Sequence, residues 1–354
     1  MATDQTGVSL RSRCRARAVP PGLSDAPPPS SQHRLKGPDW APLGSAIALT
    51  VASCSLIAAL STLPGWSDLL FPELGPLAAV VFSRPGGPWA SQGWRLIAVP
   101  TAAAVIGLWI SVHQVPHGLA LLLAVAGAQL LLWLLRSPLA PALSAAALPV
   151  VLGLRSWTYP LQIALGLSVL TAVLAIVRRR LPPEPLVSPP SPQARPARAP
   201  SRWWLPWFGY LLLLTALVEL TGWRVLLLPP LIVISHERFA GSQHCPWLGR
   251  AWLLPIACAL AAVVGVLSAR WLAPHAALAV ALSLLLNLAL MHRLRLWLPP
   301  LLAVGLLPLL MPHADWRYVA GVGVAASILA FTDRHERRPD RSILARLDAD
   351  AARS

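Results

Sequence analysis

The hydrophobic positions of this chain fall into long, continuous runs separated by short polar stretches. Most runs contain about 17 to 21 residues, close to the roughly 20 that an α-helix needs to cross the hydrocarbon core of a bilayer. Because backbone polar groups in lipid must be paired within their own segment, such runs predict membrane-spanning helices. The twelve predicted segments are 43–63, 67–83, 95–112, 116–135, 138–154, 159–177, 203–221, 224–236, 251–269, 274–291, 296–312 and 317–332.

The segments form two sets of six on either side of a polar linker. Proline and arginine dominate residues 179–202, so this linker is predicted to be extended and unable to pack. We therefore predict an all-α, polytopic membrane bundle. Its parts are a basic N-terminal tail (1–42), a first membrane repeat (43–178), the linker, a second membrane repeat (203–332) and a charged C-terminal tail (333–354).

Short motifs recur between the two sets at a nearly constant spacing of 157 to 159 residues. One match would be chance, but several in order indicate duplication of a six-helix unit. An even number of spans per unit makes the two repeats parallel, related by an axis along the membrane normal. The matching pairs are Gly65-Trp66 with Gly222-Trp223, Pro116-His117 with Pro274-His275, Gln129 with Asn287, and Trp157-x-Tyr159 with Trp316-x-Tyr318.

Segments two, five, eight and eleven are interrupted by proline or glycine at corresponding places. Proline removes a backbone donor and starts a new helix, whose N-terminus favours a small anion. Short, broken spans in matching positions of two halves are typical of a transporter's central site. The alternative is that the prolines only kink the helices. The interruptions involve Pro72, Gly75, Pro76, Pro138, Pro141, Pro229, Pro230, Pro299 and Pro300.

Polar residues inside the spans are the other candidates for a site, because lipid penalises them unless they are paired or line a cavity. Glu73 lies within a broken segment and is the candidate proton-coupling carboxyl; the alternative is a local pairing. Gln129 and Asn287 either line the site or join helices by hydrogen bonds. Ser144 and Ser235 either donate to an anion or bond to their own helices.

The charge pattern favours a membrane rather than a nucleic acid as the partner. Only 12% of the residues are charged, against about 25% in soluble domains, and the net charge of +15 comes almost wholly from arginine. Basic loops mark the cytoplasmic side. With both termini cytoplasmic and all twelve segments spanning, only Arg155, Arg224, Arg270 and Arg317 face outward. We expect a bacterial plasma membrane; the alternative is an organellar inner membrane, because residues 1–42 are rich in arginine and serine.

No motif along the chain indicates an enzyme. The loop after segment eight contains His236, Glu237, His244 and Cys245, but their spacing matches no established metal site. Nucleotide-binding glycine loops and nucleophile motifs are absent from the sequence. We expect no catalytic residue, no metal and no cofactor.

Three stretches resemble the HPP family of integral membrane proteins. Residues 70–91 resemble its opening signature, and residues 135–153 and 295–311 resemble its name-giving segment, a His-Pro-Pro followed by small residues. The motif falls on Leu139-Ala140-Pro141 and on Leu298-Pro299-Pro300, so the histidine is missing in both halves. The resemblance implies a membrane transporter, and some plant and cyanobacterial members are linked to nitrite.

These observations lead to two hypotheses of function. The first is a transporter that moves a small inorganic anion, passively or with protons, through a central site formed by the broken helices. The alternative is a non-transporting membrane scaffold or regulator, in which the repeat serves packing. A dry, filled centre where the breaks meet would favour the scaffold. A homo-oligomer is compatible with both.

The arginine pattern predicts the topology. Single cysteines at Arg84 and in the linker should react with a membrane-impermeant maleimide only after cell lysis. Cysteines at Trp157 and Trp316 should react in intact cells, all on a cysteine-free background. External labelling of a linker cysteine would contradict the parallel arrangement of two six-helix units.

Overall fold

The computed structural model describes residues 43–113, 115–180, 203–240, 247, 249–311 and 314–332. These residues form twelve α-helices with short 3-10 turns, and no strand occurs among them. The predicted tails and most of the linker lie outside the described residues, although Arg179 and Arg180 still belong to the sixth helix. The helices are α1 (Leu43–Ser61), α2 (Leu74–Ser83), α3 (Arg95–Val112), α4 (His117–Leu134), α5 (Pro141–Leu152), α6 (Thr158–Arg180), α7 (Trp204–Thr221), α8 (Pro229–Ala240), α9 (Leu253–Trp271), α10 (Ala276–Leu294), α11 (Pro300–Leu306) and α12 (Trp316–Thr332).

Seven helices in the described part of the chain are long and apolar enough to cross a membrane, namely α1, α3, α4, α6, α7, α9 and α10. The α12 helix is slightly shorter. Large apolar side chains, among them Leu161, Leu220 and Trp271, are exposed on the surface of the bundle. Lipid tails match such a surface, whereas water does not. The helix lengths and the apolar surface are those of a multi-pass membrane protein.

The four segments predicted to be broken form short helices: α2, α5, α8 and α11 contain 10, 12, 12 and 7 residues. As helices they cover only about 10 to 18 Å of a hydrocarbon core about 30 Å thick. Prolines set three of the starts, because Pro141, Pro229 and Pro300 stand in the first helical turn, where no N–H is needed. The sequence predicts that all twelve segments span, but these four helices are too short to do so by themselves.

The short helices occupy the centre of the bundle. Nearly all of their residues are buried. The α2 helix packs against α11, α5 against α8, and α8 against α11. Two contacts between long helices also join the halves, since α1 packs against α10 and α4 against α7. Each half therefore completes its packing with helices of the other half.

Hydrogen bonds tie helix ends together on two opposite faces. On one face, the Arg95 guanidinium donates to the Leu135 carbonyl across 3.4 Å, and that of Arg178 donates to the Pro85 carbonyl across 2.9 Å. We call this side the arginine-rich face. On the opposite face, the Ser111 hydroxyl at the end of α3 donates to the loop after α5 across 2.9 Å. The helices from α3 to α6 thus run alternately between the two faces.

A tyrosine replaces a backbone hydrogen bond that proline removes from α5. In a regular helix the N–H of residue 149 would bond to the Ala145 carbonyl, but Pro149 has no N–H. The Tyr159 hydroxyl donates to that carbonyl across 2.9 Å. The α5 helix can therefore contain a proline in an apolar interior without an unpaired carbonyl.

The second half repeats this bond 159 residues later. The Tyr318 hydroxyl donates to the Val304 carbonyl across 2.6 Å, and Pro308 stands four residues after Val304. The two central helices α5 and α11 are thus completed in the same way, each by a tyrosine from the helix that follows it.

Close helix crossings also recur in both halves. A Cβ built at Gly107 would lie 1.9 Å from the Ala146 carbonyl oxygen, and a Cβ at Gly265 would lie 2.4 Å from that of Gly305. Because no side chain fits at such distances, both glycines are required where α3 crosses α5 and where α9 crosses α11. The backbones of these helices therefore touch directly.

Backbone conformations with positive φ recur as well. Gly65 and Gly222 have φ values of 87° and 72°, and Arg136 and Arg295 have φ values of 48° and 50°. Residues other than glycine avoid this left-handed region, at a cost of about 1–2 kcal/mol. The same strained turn therefore ends α4 and α10.

The tyrosine bonds predict a measurable loss of stability. Tyr159→Phe and Tyr318→Phe should each lower the free energy of unfolding in detergent by about 1–2 kcal/mol, because each leaves a buried carbonyl unpaired. Adding Pro149→Ala to Tyr159→Phe should restore most of the loss, since the new N–H reaches the Ala145 carbonyl.

The matched control is Tyr210→Phe. Its hydroxyl donates to the Ala325 carbonyl across 3.1 Å. Residue 329 is a leucine rather than a proline, so its backbone N–H also donates to that carbonyl. We expect a smaller loss for this variant. Equal losses in all three tyrosine variants, with no rescue by Pro149→Ala, would show that the hydroxyls do not compensate for proline.

Candidate functional site

A carboxyl and a hydroxyl meet at the centre of the bundle without hydrogen-bond partners. Glu73 immediately precedes α2, and Ser144 lies one turn into α5; both side chains are almost completely buried. The two side chains face each other. Neither carboxyl oxygen of Glu73, nor the hydroxyl of Ser144, forms a hydrogen bond of normal geometry with any described residue. We call these two side chains the Glu73/Ser144 pair.

The two tyrosines near Glu73 do not neutralise a negative charge on its carboxyl. Tyr159 and Tyr318, one from each half, lie within electrostatic range of its carboxyl. Their hydroxyls, however, donate to the carbonyls freed by proline. A charged, unpartnered carboxylate in an apolar interior is very costly. The site therefore requires a proton or another ligand on these oxygens.

Tight apolar packing closes one side of the site. A Cβ at Gly75 would lie 2.8 Å from Leu306 Cδ1 and 3.1 Å from Leu284 Cδ2. Even a methyl group would have to displace these leucines. The α2 helix therefore contacts α10 and α11 closely just beyond Glu73.

The helix starts that were predicted to attract an anion offer few free backbone donors. The first N–H groups of the short helices already bond to carbonyls of the preceding turn. Such donors are therefore occupied, and an anion at this site must rely mainly on side chains. These bonds are Leu74 to Phe71 (3.1 Å), Ala142 to Leu139 (3.0 Å), Leu231 to Leu228 (3.0 Å) and Leu301 to Leu298 (2.9 Å).

The prolines and the glycine that were predicted to form the site differ in their burial. Most of them are buried at the starts of the short helices, as a central site requires. Pro299 is half-buried, and Pro138 is exposed in the loop after α4, away from the centre. The buried members are Pro72, Gly75, Pro76, Pro141, Pro229, Pro230 and Pro300.

Asn287, one of the two repeat-related amides, belongs to a second group of buried polar atoms. Asn287 Nδ2 donates to the Ser283 carbonyl across 2.8 Å, and the Ser283 hydroxyl donates to the Gly305 carbonyl across 2.8 Å. This cluster joins α10 to α11. The Oδ1 of Asn287 and the Oε1 of the half-buried Gln129 remain without a partner among the described residues. The unpaired amide atoms are thus hydrogen-bond acceptors.

The Ser235 hydroxyl uses its hydrogen bonds within the bundle. Its hydroxyl accepts a hydrogen bond from Trp207 Nε1 across 3.0 Å and donates to the Ile232 carbonyl across 2.8 Å. The neighbouring His236 packs edge-on against Trp203 and Trp207. This arrangement holds α8 against the start of α7 and leaves the Ser235 hydroxyl no proton to donate to an anion.

The two tyrosines were not among the predicted site residues, although the sequence contains a signal for them. The motif Trp157-x-Tyr159 recurs as Trp316-x-Tyr318, and each tyrosine stands ten residues after a proline. Of the candidate metal-binding residues, His244 and Cys245 lie outside the described residues. Within the described part of the chain, no group of three or more potential ligands forms a metal site.

Comparisons with protein-family models, with curated proteins and with solved structures found no match to this chain.

The unpaired carboxyl predicts an unusual response to substitution. Glu73→Leu should leave the unfolding temperature in detergent unchanged or raise it by a few degrees, because it removes a buried polar group that has no partner. Ser283→Ala, which removes a bond to Gly305, should instead destabilise the protein by about 1 kcal/mol. A loss from Glu73→Leu as large as that from Ser283→Ala would mean that Glu73 has a structural partner.

Proposed function

We propose that this chain is a multi-pass membrane transporter that moves a small inorganic anion together with a proton. The Glu73/Ser144 pair carries the proposal. Proteins pair nearly all buried polar groups, and the exceptions call for a functional or structural reason. A carboxyl inside a membrane bundle is typical of substrate paths and proton relays.

The chemistry of the pair couples the proton to the anion. When Glu73 holds a proton, its O–H and that of Ser144 both donate to one anion. When the proton leaves, the carboxylate repels the anion and accepts the Ser144 hydroxyl instead. Anion and proton therefore bind and depart together, which makes this a symport with reciprocal affinities.

Two parallel six-helix repeats form the framework in this proposal. The recurring tyrosine bonds, glycine crossings and left-handed residues support it. In transporters built from repeats, discontinuous helices form the substrate site near the midplane. The chain then has twelve membrane segments, of which α2, α5, α8 and α11 are the discontinuous ones, each completed by extended residues at its ends.

The resemblance to the HPP family adds to the case for an anion and makes nitrite the first to test. Because basic residues gather on the cytoplasmic side, we place the arginine-rich face in the cytoplasm of a bacterial cell, or in the matrix or stroma if the membrane is an organellar inner membrane.

A non-transporting scaffold is the second candidate. The observation in its favour is the packing at Gly75, where a methyl group would have to displace Leu306 and Leu284. A centre filled in this way in every conformation would leave no path for an ion. In the transporter, this packing belongs to one closed state.

Uptake into proteoliposomes, with and without an imposed pH gradient, tests the proposal. Wild-type protein should take up nitrite, and an inward proton gradient should stimulate uptake. Glu73→Gln should abolish that stimulation while leaving some downhill flux, because it cannot release a proton. Ser144→Ala should raise the apparent KM by about three- to tenfold, since one donor is lost.

Glu219→Gln is the matched control, because this glutamate lies at the end of α7 and is exposed. It should respond to the gradient as wild type does. An unchanged gradient response in Glu73→Gln would make Glu73 structural. Correctly folded wild-type protein that transports neither nitrite, nitrate nor chloride would favour the scaffold.

A further inference from the structure

A cavity of about 630 Å³ opens on the face opposite the arginine-rich face, between the ends of α1, α9 and α11 and the start of α10. Its lining includes Thr62, Ser67, Arg270 and Ala276. The last residue of α9 is Trp271, which is 74% exposed. Because tryptophan and arginine at a helix end mark the membrane–water interface, the mouth of this cavity meets water.

At the equivalent place in the other half, a charged cluster joins two helices. There, Glu219 Oε1 accepts a hydrogen bond from the Gly118 N–H across 3.1 Å and joins α7 to α4. His117 lies within electrostatic range of both Glu219 and Arg224. A Cβ at Gly118 would lie only 2.7 Å from Glu219 Oε1 and 2.5 Å from Thr215 Cγ2. We call this cluster the Glu219 seal.

The cavity and the seal occupy corresponding positions. Where the seal has long, charged side chains, the cavity has small hydroxyl side chains, and each of them lines the open space. The smaller side chains at these positions leave more room on the side of the cavity. The corresponding pairs, 157 or 158 residues apart, are Thr62 with Glu219, Ser67 with Arg224, and Ala276 with Gly118.

The electrostatics of the cavity favour an anion. No hydrogen bond or ion pair joins the Arg270 guanidinium to another described residue. Among the described lining residues, the other charged side chain is Asp315, whose Oδ1 accepts a hydrogen bond from the Arg317 N–H across 3.0 Å. This bond caps α12, and the positive end of that helix offsets the negative charge of Asp315. The position that corresponds to Arg270 in the other half is Val112, so the other half has no charge at this position.

The floor of the cavity leads toward the Glu73/Ser144 pair. Leu70 lines the floor three residues before Glu73. Val280 also lines it, one helical turn before Leu284, which packs against the Gly75 position. A short apolar barrier therefore separates the open cavity from the buried pair.

We propose that this cavity is an aqueous vestibule that binds a small inorganic anion at Arg270, and that the Glu219 seal keeps the corresponding vestibule of the other half shut. The role of the vestibule as an entrance rests on the proposed transport. Binding of the anion at Arg270 does not depend on the proposed transport, and it can be tested without measuring any flux.

The first test measures the reaction rate of a cysteine in the cavity. Ala276→Cys is made on a cysteine-free background and placed in nanodiscs, where both faces meet the solvent. An anionic sulfonatoethyl methanethiosulfonate should react about tenfold faster than the cationic trimethylammonioethyl reagent, after correction for their rates with a free thiol. Arg270→Gln should remove this preference, and sodium nitrite should slow the anionic reagent only when Arg270 is present.

The inference is overturned if Arg270→Gln leaves the preference unchanged. It is also overturned if only the membrane-permeant N-ethylmaleimide reacts, because lipid then fills the cavity.

The second test moves the seal between the halves. Thr62→Glu with Ser67→Arg should fill the cavity and slow labelling of the cysteine at position 276 by about tenfold or more; it should also abolish nitrite uptake. Glu219→Thr with Arg224→Ser removes the native seal and should keep uptake within about twofold of wild type, because the open vestibule is untouched. Unchanged labelling and uptake in the first variant would overturn the inference.

The two readouts separate this inference from the proposed function. Labelling that depends on Arg270, in a protein without any anion flux, supports the vestibule and overturns transport. Flux that is retained when the cavity is filled supports transport and overturns the vestibule.

Discussion

The hydrogen bond from a tyrosine hydroxyl to a carbonyl freed by proline is the interaction on which the centre of this bundle depends. Lipid offers no water to satisfy a backbone group, so a proline inside a membrane helix leaves a carbonyl that the protein must pair. Tyr159 and Tyr318 supply that pairing at Ala145 and Val304. Both tyrosines are fully buried, and each comes from the helix that follows the broken one. Without them, short helices in the middle of the bundle would expose unpaired backbone to an apolar interior.

A few buried side-chain atoms at the centre of the bundle have no hydrogen-bond partner among the described residues. The Ala145 and Val304 carbonyls, which proline frees, have partners, and the first N–H groups of the short helices bond to their own turns. The carboxyl of Glu73 and the hydroxyl of Ser144 form no hydrogen bond of normal geometry with any described residue. Burying these groups opposes folding, and the protein retains them nonetheless. The cost of burying a carboxyl in this way is the physical reason why we propose a function for the pair and regard the rest of the centre as its support.

The residues that we propose to be functional differ between the two halves of the chain instead of recurring in both. Glu73 corresponds to Pro230 and Ser144 to Ala303, so only one half contributes the polar pair. In our proposals, the vestibule near Arg270 and the Glu219 seal likewise differ in the side chains at corresponding positions, so that one of them is open and the other closed.

The sequence by itself determined the apolar helices, their number, the positions of the breaks and the recurring motifs. These are local properties, because a long apolar run or a proline has the same effect wherever the chain goes. Only the tertiary structure decided that Glu73 lies beside Ser144, that the Trp207 indole N–H donates to the Ser235 hydroxyl, and that Pro138 lies at the surface. Such pairings depend on distances between segments far apart in the chain. Membrane spans, apolar on every side, lack the periodicity that would distinguish their lipid-facing positions from their buried ones.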